Sequence, residues 1–445
     1  MSSTIHRIVK RNEMEEKKKI IVISDHPMSP SGVGTQTKYF LEALLKTGRY
    51  KFICFGGAIQ HADYRPMKTN EWGEDLVIIP VKGYGDQNLL REAMWVERPD
   101  ALWIMTDPRF WGWLWEIEEE IRSHCPLVYY HVWDNYPYPH FNRKYYRSND
   151  AIATISKVTD DIVKTVTPEV KRRYIPHAVP TVFSPSSAEE REKFRKENFG
   201  EDKDKLIVFW NNRNARRKMS GSLIFWFKKF LDKVGHDKAM LIMHTETKDP
   251  HGQDLDAILL SLDMNNGQVK FSRKKMPPDH LAKLYNACDV TVNISDAEGF
   301  GLGTLESLAC GTPIVVNKTG GLQEQITDGE VSFGVGIEPA SKAVIGSQEI
   351  PFIYEDRINE DDFVDALLKI YEMGHEERRR LGQLGREHVL KNYSFADFES
   401  SWVSFMDEVI EENGEWDSNL DDFIAFIECP ICGDKWGGKL FERED

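Results

Sequence analysis

Short β-branched apolar runs alternate with amphipathic stretches along this chain, and the alternation stops once and starts again. Lys19–Ser24 reads as a first strand, and a glycine-bearing loop leads from it into a helix over about Thr35–Leu45. Further strands are expected at Lys51–Phe55, Leu76–Pro80, Ala101–Met105, Leu127–His131, Ala151–Ile155 and Lys171–Ile175. A polar Ser184-Pro185-Ser186-Ser187 segment and a charged helix, Ala188–Asn198, interrupt the pattern. It resumes with Leu206–Trp210, Ala239–Met243, Val269–Phe271, Val290–Ile294 and Pro313–Val316. Strands spaced by helices give parallel sheets with helices on both faces, so the fold class is α/β, with two doubly wound Rossmann-like domains facing across a cleft. The ranges are a charged leader at 1–17, a first domain at 18–184, a linker helix within 185–203, a second domain at 204–393, a further helix at 394–413, and an acidic tail at 414–445. Ligands of such sheets sit beyond the carboxyl ends of the strands.

Length agrees with two cores, since 445 residues exceed what one hydrophobic core commonly fills. No apolar run approaches the roughly 20 residues of a membrane span. Met1–Lys19 is polar and charged, unlike a secretory signal. With six scattered cysteines, this points to a reduced, cytoplasmic compartment. Taken alone, the net charge of −15 argues against anionic partners, but 15 acidic residues against 3 basic ones lie in 394–445, whereas 1–185 is nearly balanced. Total charge therefore neither supports nor excludes an anionic acceptor.

The stretch Ser295-Asp296-Ala297-Glu298-Gly299-Phe300-Gly301-Leu302-Gly303-Thr304-Leu305-Glu306 carries the most chemistry. A strand ends near Ser295, a glycine-rich loop follows, and a short helix runs from about Gly303 to Cys310, with Gly311 suited to its cap. Glycines before a helix let bare N–H groups approach a phosphate, which the helix dipole favours. Glu298 precedes the loop and Glu306 lies in the helix, so their carboxylates can accept hydrogen bonds from hydroxyls on either side of a diphosphate. A solvated surface loop is the plainer alternative, and a glycine-rich turn alone would not exclude it.

With Gly-Phe-Gly between the two glutamates and Ala309-Cys310-Gly311-Thr312-Pro313 after them, this stretch resembles the sugar-donor site of family 4 retaining glycosyltransferases, which have the GT-B fold. The resemblance continues through Gly320-Gly321-Leu322-Gln323-Glu324 and upstream through Leu284–Val290. It covers 206–393 well and the first half loosely. It implies that the second domain binds the nucleotide sugar and the first faces the acceptor, that Glu298 contacts the transferred sugar, and that Glu306 holds the ribose. Gly299, Phe300, Gly301 and Leu302 then form the phosphate-side loop, and 394–413 resembles the helix that crosses back to the first domain.

Other residues gain roles from the same resemblance. In Trp210-Asn211-Asn212-Arg213-Asn214-Ala215-Arg216-Arg217-Lys218, Arg213 and Lys218 match the cations that hold the diphosphate, although Arg216 or Arg217 could be the second one. Fixed cations stabilise the charge that develops as a nucleoside diphosphate departs. Pro30-Ser31-Gly32-Val33-Gly34-Thr35 fails as a dinucleotide fingerprint, because Thr37 replaces the third glycine and no acid closes the second strand. The resemblance gives Gly32 and Gly34 a close approach of backbone to the substrates, and His131, at a strand's carboxyl end, contact with the sugar. A histidine tied into local bonds is the plainer reading there.

Trp111, Trp113, Trp115, Trp133, Tyr136, Tyr138 and Phe141 could stack an acceptor sugar or base, or simply pack in a core. Cys429-Pro430-Ile431-Cys432 resembles half a zinc knuckle and could hold a structural zinc, though two further ligands are not evident. No metal or other cofactor is expected in catalysis. The expected function is therefore sugar transfer with retention from a nucleotide sugar, UDP-linked by expectation, to a hydroxyl on a glycan or a hydroxylated nucleobase. The chain needs no membrane span, and a homodimer is compatible with its sequence. A nucleotide-sugar epimerase or glycogen-type phosphorylase of the same architecture, and a non-catalytic sugar- or nucleic-acid-binding module, are the competing readings.

Overall fold

The computed structural model describes residues 16–413 and two short paired strands at Ile427–Glu428 and Lys435–Trp436. The leader before residue 16 and the Cys429–Cys432 pair lie outside the described residues. The first sheet contains β1 (Lys18–Asp25), β2 (Tyr50–Gly57), β3 (Met67–Lys68), β4 (Leu76–Pro80), β5 (Ala101–Met105), β6 (Leu127–His131), β7 (Ala151–Thr154) and β8 (Lys171–Tyr174). Their order is β3-β4-β2-β1-β5-β6-β7-β8, parallel except for β3. In β1, Ile20 to Ile23 are all fully buried, because helices cover both faces. A strand with two covered faces needs an unbroken apolar run, and this is what made the parallel strands visible in the sequence.

The second sheet contains β9 (Leu206–Asn211), β10 (Ala239–His244), β11 (Val269–Ser272), β12 (Val290–Asn293), β13 (Ile314–Asn317) and β14 (Gly334–Ile337), in the order β11-β10-β9-β12-β13-β14, all parallel. An antiparallel pair, β15 (Ser341–Ile345) and β16 (Ile353–Arg357), follows. The sequence reading missed β3, β14 and this pair, all short and partly exposed.

The helix expected to link the two units is firmly seated on the second. It spans Ala188–Phe199 and starts with a capping box between Ser187 and Glu190. Its buried Arg195 donates to the Ala287, Lys203 and Lys205 carbonyls and pairs with Asp289 at 3.1 Å.

The helix Phe395–Asn413 returns to the first sheet. Its Trp402 is fully buried, with ring centroids 4.8 Å from Phe40, 5.8 Å from Trp103 and 4.8 Å from Tyr130. Ion pairs join its outer face to the same sheet layer, among them Arg49–Asp407 at 2.8 Å and the contact between Lys46 and Glu399. Exposed pairs contribute at most about 1 kcal/mol each, so burial holds this helix. Trp402→Ala is expected to lower stability by about 3–5 kcal/mol and Glu399→Ala by less than about 1 kcal/mol, read as shifts in urea unfolding followed by circular dichroism.

Candidate active site

The carboxyl ends of both sheets open on one cleft of about 1060 Å³. From the first sheet it is lined by the residues that follow β1, β5 and β6, and from the second by the end of β10 and the residues that follow β9, β11 and β12. Two helices begin there on opposite walls, Gly32–Leu45 and Leu302–Ala309. Their first turns approach closely: a side-chain carbon at Gly32 would lie 3.4 Å from Leu302 Cδ1. Unsatisfied N–H groups on both sides suit an anion between them.

The Glu298–Glu306 loop is built by two backbone constraints. Gly301 adopts φ +94°, which leads the chain from loop to helix and which L side chains rarely adopt. Opposite it, Gly320 has φ +48°, and a side-chain carbon there would fall 1.9 Å from the Glu298 carbonyl oxygen. The Gly320-Gly321 turn thus packs directly under the loop, and Gly321 donates to the same carbonyl at 3.0 Å.

Glu298 is buried and ion-paired with Lys218, and its carboxylate also accepts from Asn293 Nδ2 at 3.3 Å, with Ser295 Oγ 3.4 Å away. Burial alone would push its carboxyl up; Lys218 and Arg217 outweigh that and hold it at about 2. Burial, helped by Arg217, brings the Lys218 ammonium down to about 8 despite Glu298. Both partners are therefore ionised at neutral pH. Glu306 differs: burial pushes its carboxyl up to about 7, opposed by a hydrogen bond from the Tyr285 hydroxyl at 2.8 Å. That hydroxyl in turn accepts from Asn211 Nδ2 at 2.8 Å.

The basic loop after β9 distributes its charges. Arg213 makes a two-pronged contact with Asp249 at 2.7 and 3.0 Å, and Arg216 pairs with Glu355 of β16 at 2.5 and 3.0 Å. Arg217 donates to the Ala297 carbonyl, and Lys218 goes to Glu298. All four line the cleft, and Arg217 and Lys218 lie nearest the Glu298 loop.

Gly299, Phe300, Gly301, Leu302 and Gly32 also line the cleft. Two expected contacts do not. Gly34 lies beneath the loop after β1, where a side-chain carbon would meet Ser29 Oγ at 2.2 Å and the His26 carbonyl at 2.7 Å, so its smallness serves packing. His131 is fully buried away from the cleft. Its Nε2 bonds the Tyr146 hydroxyl at 2.7 Å, its ring packs against Tyr129 and Tyr146, and burial lowers it to about 3. Of the aromatic cluster, Trp111 is core, and the Tyr136 and Tyr138 hydroxyls both donate to Asp161, at 2.8 and 2.9 Å; Trp133 reaches the cleft wall.

The sequence reading missed Thr106, Asp107 and Asp134, all on the first-sheet wall. Thr106 directly follows β5 at φ +122°, an unfavourable conformation for a β-branched residue, and its carbonyl accepts from the Tyr129 hydroxyl at 2.5 Å. Only the place of Thr106 and Asp134 after strand ends hints at them in the sequence. Among the described residues no helix is long and apolar enough to cross a membrane.

Replacing Lys218 with Met strands a buried carboxylate, so K218M is expected to cost about 3–5 kcal/mol. In a double-mutant cycle, K218M with E298Q should cost clearly less than the two single changes added, by urea unfolding. The folded Glu298 carboxyl lies below its unfolded value, so the pair's contribution is complete above the ordinary glutamate range and fades as pH falls towards about 2.

Comparison with known proteins shows what the chain as a whole is similar to. Residues 190–388 match the family model described as glycosyl transferases group 1. A D-inositol 3-phosphate glycosyltransferase of Acidothermus cellulolyticus is 36% identical over 132 residues, 27% of this chain and 30% of that protein. One of the same name from Corynebacterium jeikeium is 29% identical over 163 residues, 36% of this chain and 39% of that protein. These matches span only about a third of the relatives' length. Among solved structures, sucrose-phosphate synthase from Thermosynechococcus elongatus superposes with a TM-score of 0.70 at 16% identity, covering 89% of this chain and 100% of that one. Anabaena Alr3699/HepE in complex with UDP-glucose superposes with a TM-score of 0.64 at 13% identity, covering 88% and 99%. At these identities the likeness is one of fold, and that fold is the GT-B arrangement of two α/β domains.

Proposed function

We propose, from the premise that the chain belongs through residues 190–388 to the glycosyl transferases of group 1, that its cleft binds a nucleotide sugar and transfers the sugar to an acceptor hydroxyl. The observation that carries this reading is the placement of Glu298, Lys218 and Arg217 at one point of the cleft, with Glu306 about one helical turn beyond Leu302. In this reading the diphosphate lies over the helix start at Leu302, with the ribose at Glu306 and the sugar at Glu298. UDP is the favoured nucleotide, since the HepE structure named above holds UDP-glucose. A glycan or a hydroxylated nucleobase is the acceptor class.

The chemistry is a displacement with retention. The bond between the anomeric carbon and the phosphate oxygen breaks, and its electron pair leaves with the diphosphate. The acceptor oxygen bonds to the same face of that carbon, and its proton passes to the departing phosphate oxygen. An oxocarbenium-like transition state follows from such a cleavage. Lys218 has three N–H donors, and the ones not given to Glu298 stabilise the leaving charge together with Arg217. Arg213, held by Asp249, acts from the rim.

Calorimetric titration with UDP, GDP and ADP, followed by hydrolysis assays with the matching sugar donors, tests this. Glu306→Ala should weaken the bound nucleotide by roughly tenfold or more. Because burial lifts the Glu306 carboxyl to about 7 and the ionised form is the better acceptor for ribose hydroxyls, affinity should rise as pH passes upward through that value, and Glu306→Gln should flatten the profile. Failure of wild type to bind any nucleotide would remove the reading in favour of a binding module.

A further inference from the structure

Asp134 stands three residues beyond β6 on the first-sheet wall, half-buried, with its exposed part opening into the cleft. Its carboxylate receives no hydrogen bond and makes no ion pair among the described residues. In this it differs from the other carboxylates of the cleft. Glu298 has Lys218, Glu306 has the Tyr285 hydroxyl, Asp107 has Arg109, and Glu355 has Arg216 and Arg357. The Asp134 oxygens are not among the buried unpartnered atoms of the described residues, so this carboxylate takes its donors from solvent or from something bound in the cleft.

The position of Asp134 narrows what that something is. The Glu298–Gly301 loop closes against the end of β6 from the other wall. A side-chain carbon added at Gly299 would lie 3.3 Å from the Val132 carbonyl oxygen and 3.8 Å from Asp134 Oδ2. Asp134 therefore faces, across the cleft, the loop that begins at Glu298. Cations do not occupy it: Lys218 turns to Glu298, and Arg217 donates to the Ala297 carbonyl. The geometry leaves two carboxylates on opposite walls, one satisfied by Lys218 and one with its acceptors open. An acceptor-only group of this kind suits a ligand rich in O–H donors, and a neutral sugar ring is such a ligand.

We propose that Asp134 binds the transferred sugar from the first-sheet wall, accepting hydrogen bonds from its ring hydroxyls opposite Glu298, and thereby selects nucleotide sugars with free hydroxyls on that side. This rests on the cleft being a nucleotide-sugar site. It gives to Asp134 the contact that the sequence suggested for His131, whose side chain is turned into the core. The groups facing Asp134 are Arg217 and Lys218 from the loop after β9, Glu298 from the loop after β12, and Asp107 from the loop after β5. Burial raises its carboxyl to about 6, with Arg217 and Lys218 opposing and Glu298 and Asp107 adding.

The test compares each nucleotide sugar with its own nucleoside diphosphate, so that any change at the phosphates or ribose cancels. Wild type, D134N and D134A are titrated calorimetrically with UDP-glucose, UDP-N-acetylglucosamine, GDP-mannose and ADP-glucose, and with UDP, GDP and ADP. For the pair that wild type binds, D134N should keep its affinity for the free diphosphate within about threefold and lose about tenfold or more for the sugar-bearing form. For the sugar-bearing form, the ratio of wild-type to D134N affinity should fall on acidification through about pH 6, where burial has brought the Asp134 carboxyl; the two proteins are compared on one ligand because the terminal phosphate of a free diphosphate itself titrates at about 6. Glu306, lifted to about 7 by burial, is common to both proteins and drops out of that ratio. Equal affinities of wild type and both variants for the sugar-bearing form would overturn the proposal and leave the nucleotide-sugar site intact. So would an equal loss for both forms, since Asp134 would then serve only to arrange Arg217 and Lys218. If wild type bound no nucleotide at all, the proposed function would fall, and this inference with it.

Discussion

The buried ion pair between Lys218 and Glu298 is the interaction around which the second half of the cleft is arranged. Removing two charges from water costs several kcal/mol each, and attraction repays this only where the remaining hydrogen-bonding capacity is also met. Here Asn293 Nδ2 supplies a further donor at 3.3 Å, and Asn293 Oδ1 is itself fixed by the Ser295 hydroxyl at 2.5 Å and the Ser295 backbone N–H at 3.1 Å. The pair thus ties the loop after β9 to the loop after β12, which are neighbouring strands of one sheet. A second layer of charge lies beside it: Arg357 bridges Asp296 and Glu355, and Glu355 holds Arg216. The β15–β16 pair is recruited to the site through these contacts.

The two sheets are joined at several points around this centre. Glu324, in the short helix Leu322–Ile326, accepts the backbone N–H of Lys157 at 2.6 Å and the Tyr174 hydroxyl at 2.7 Å, so a carboxylate of the second unit sits at the start of the Lys157–Val166 helix of the first. A negative charge there is favoured by the helix dipole and by unsatisfied N–H groups. Elsewhere, Tyr354 of β16 donates its N–H to the Tyr136 carbonyl at 2.6 Å, and Asn135 Nδ2 donates to the Tyr354 carbonyl at 2.9 Å. Ile350, just before β16, is buried in the first-sheet core. These links, with the returning helix at 395–413, set the spacing across which Asp134 and Gly299 face each other.

Much of this was legible in the sequence, and what was not has identifiable causes. Buried parallel strands announce themselves by unbroken apolar runs, so β1, β5, β6 and β9 were found nearly to the residue. The β15–β16 pair was not, because its residues are mixed in polarity and exposed on one side, and its stabilising contacts lie far off in sequence. The glycine loop could be assigned because its chemistry is local: loop, helix start and both glutamates fall within one short stretch. His131 fell to the same burial that made β6 visible. In Leu127–His131 every residue is buried on one face or the other, so nothing in the run says which side chain turns to the cleft. The wall is instead formed by the residues just past the strand, where the backbone leaves the sheet. Within Arg213–Lys218 the sequence offered four cations and no means of ranking them, since their partners, Asp249, Glu355, Ala297 and Glu298, come from other loops.

Those partners bear on how the site works. Arg213, Arg216 and Lys218 are each held by a carboxylate, and Arg217 by a carbonyl, so their side chains are already ordered before any anion arrives. Ordering a long basic side chain costs roughly 2 kcal/mol, which here is offset during folding and not charged to binding. The same pairing moderates the cleft's positive potential, because each counter-carboxylate subtracts from the field an anion would meet. The compromise favours a ligand that needs fixed hydrogen-bond donors at set positions over one that is merely anionic. A diphosphate whose charge grows only as a bond breaks is such a ligand, since preorganised donors act on the developing charge without first having to reorganise.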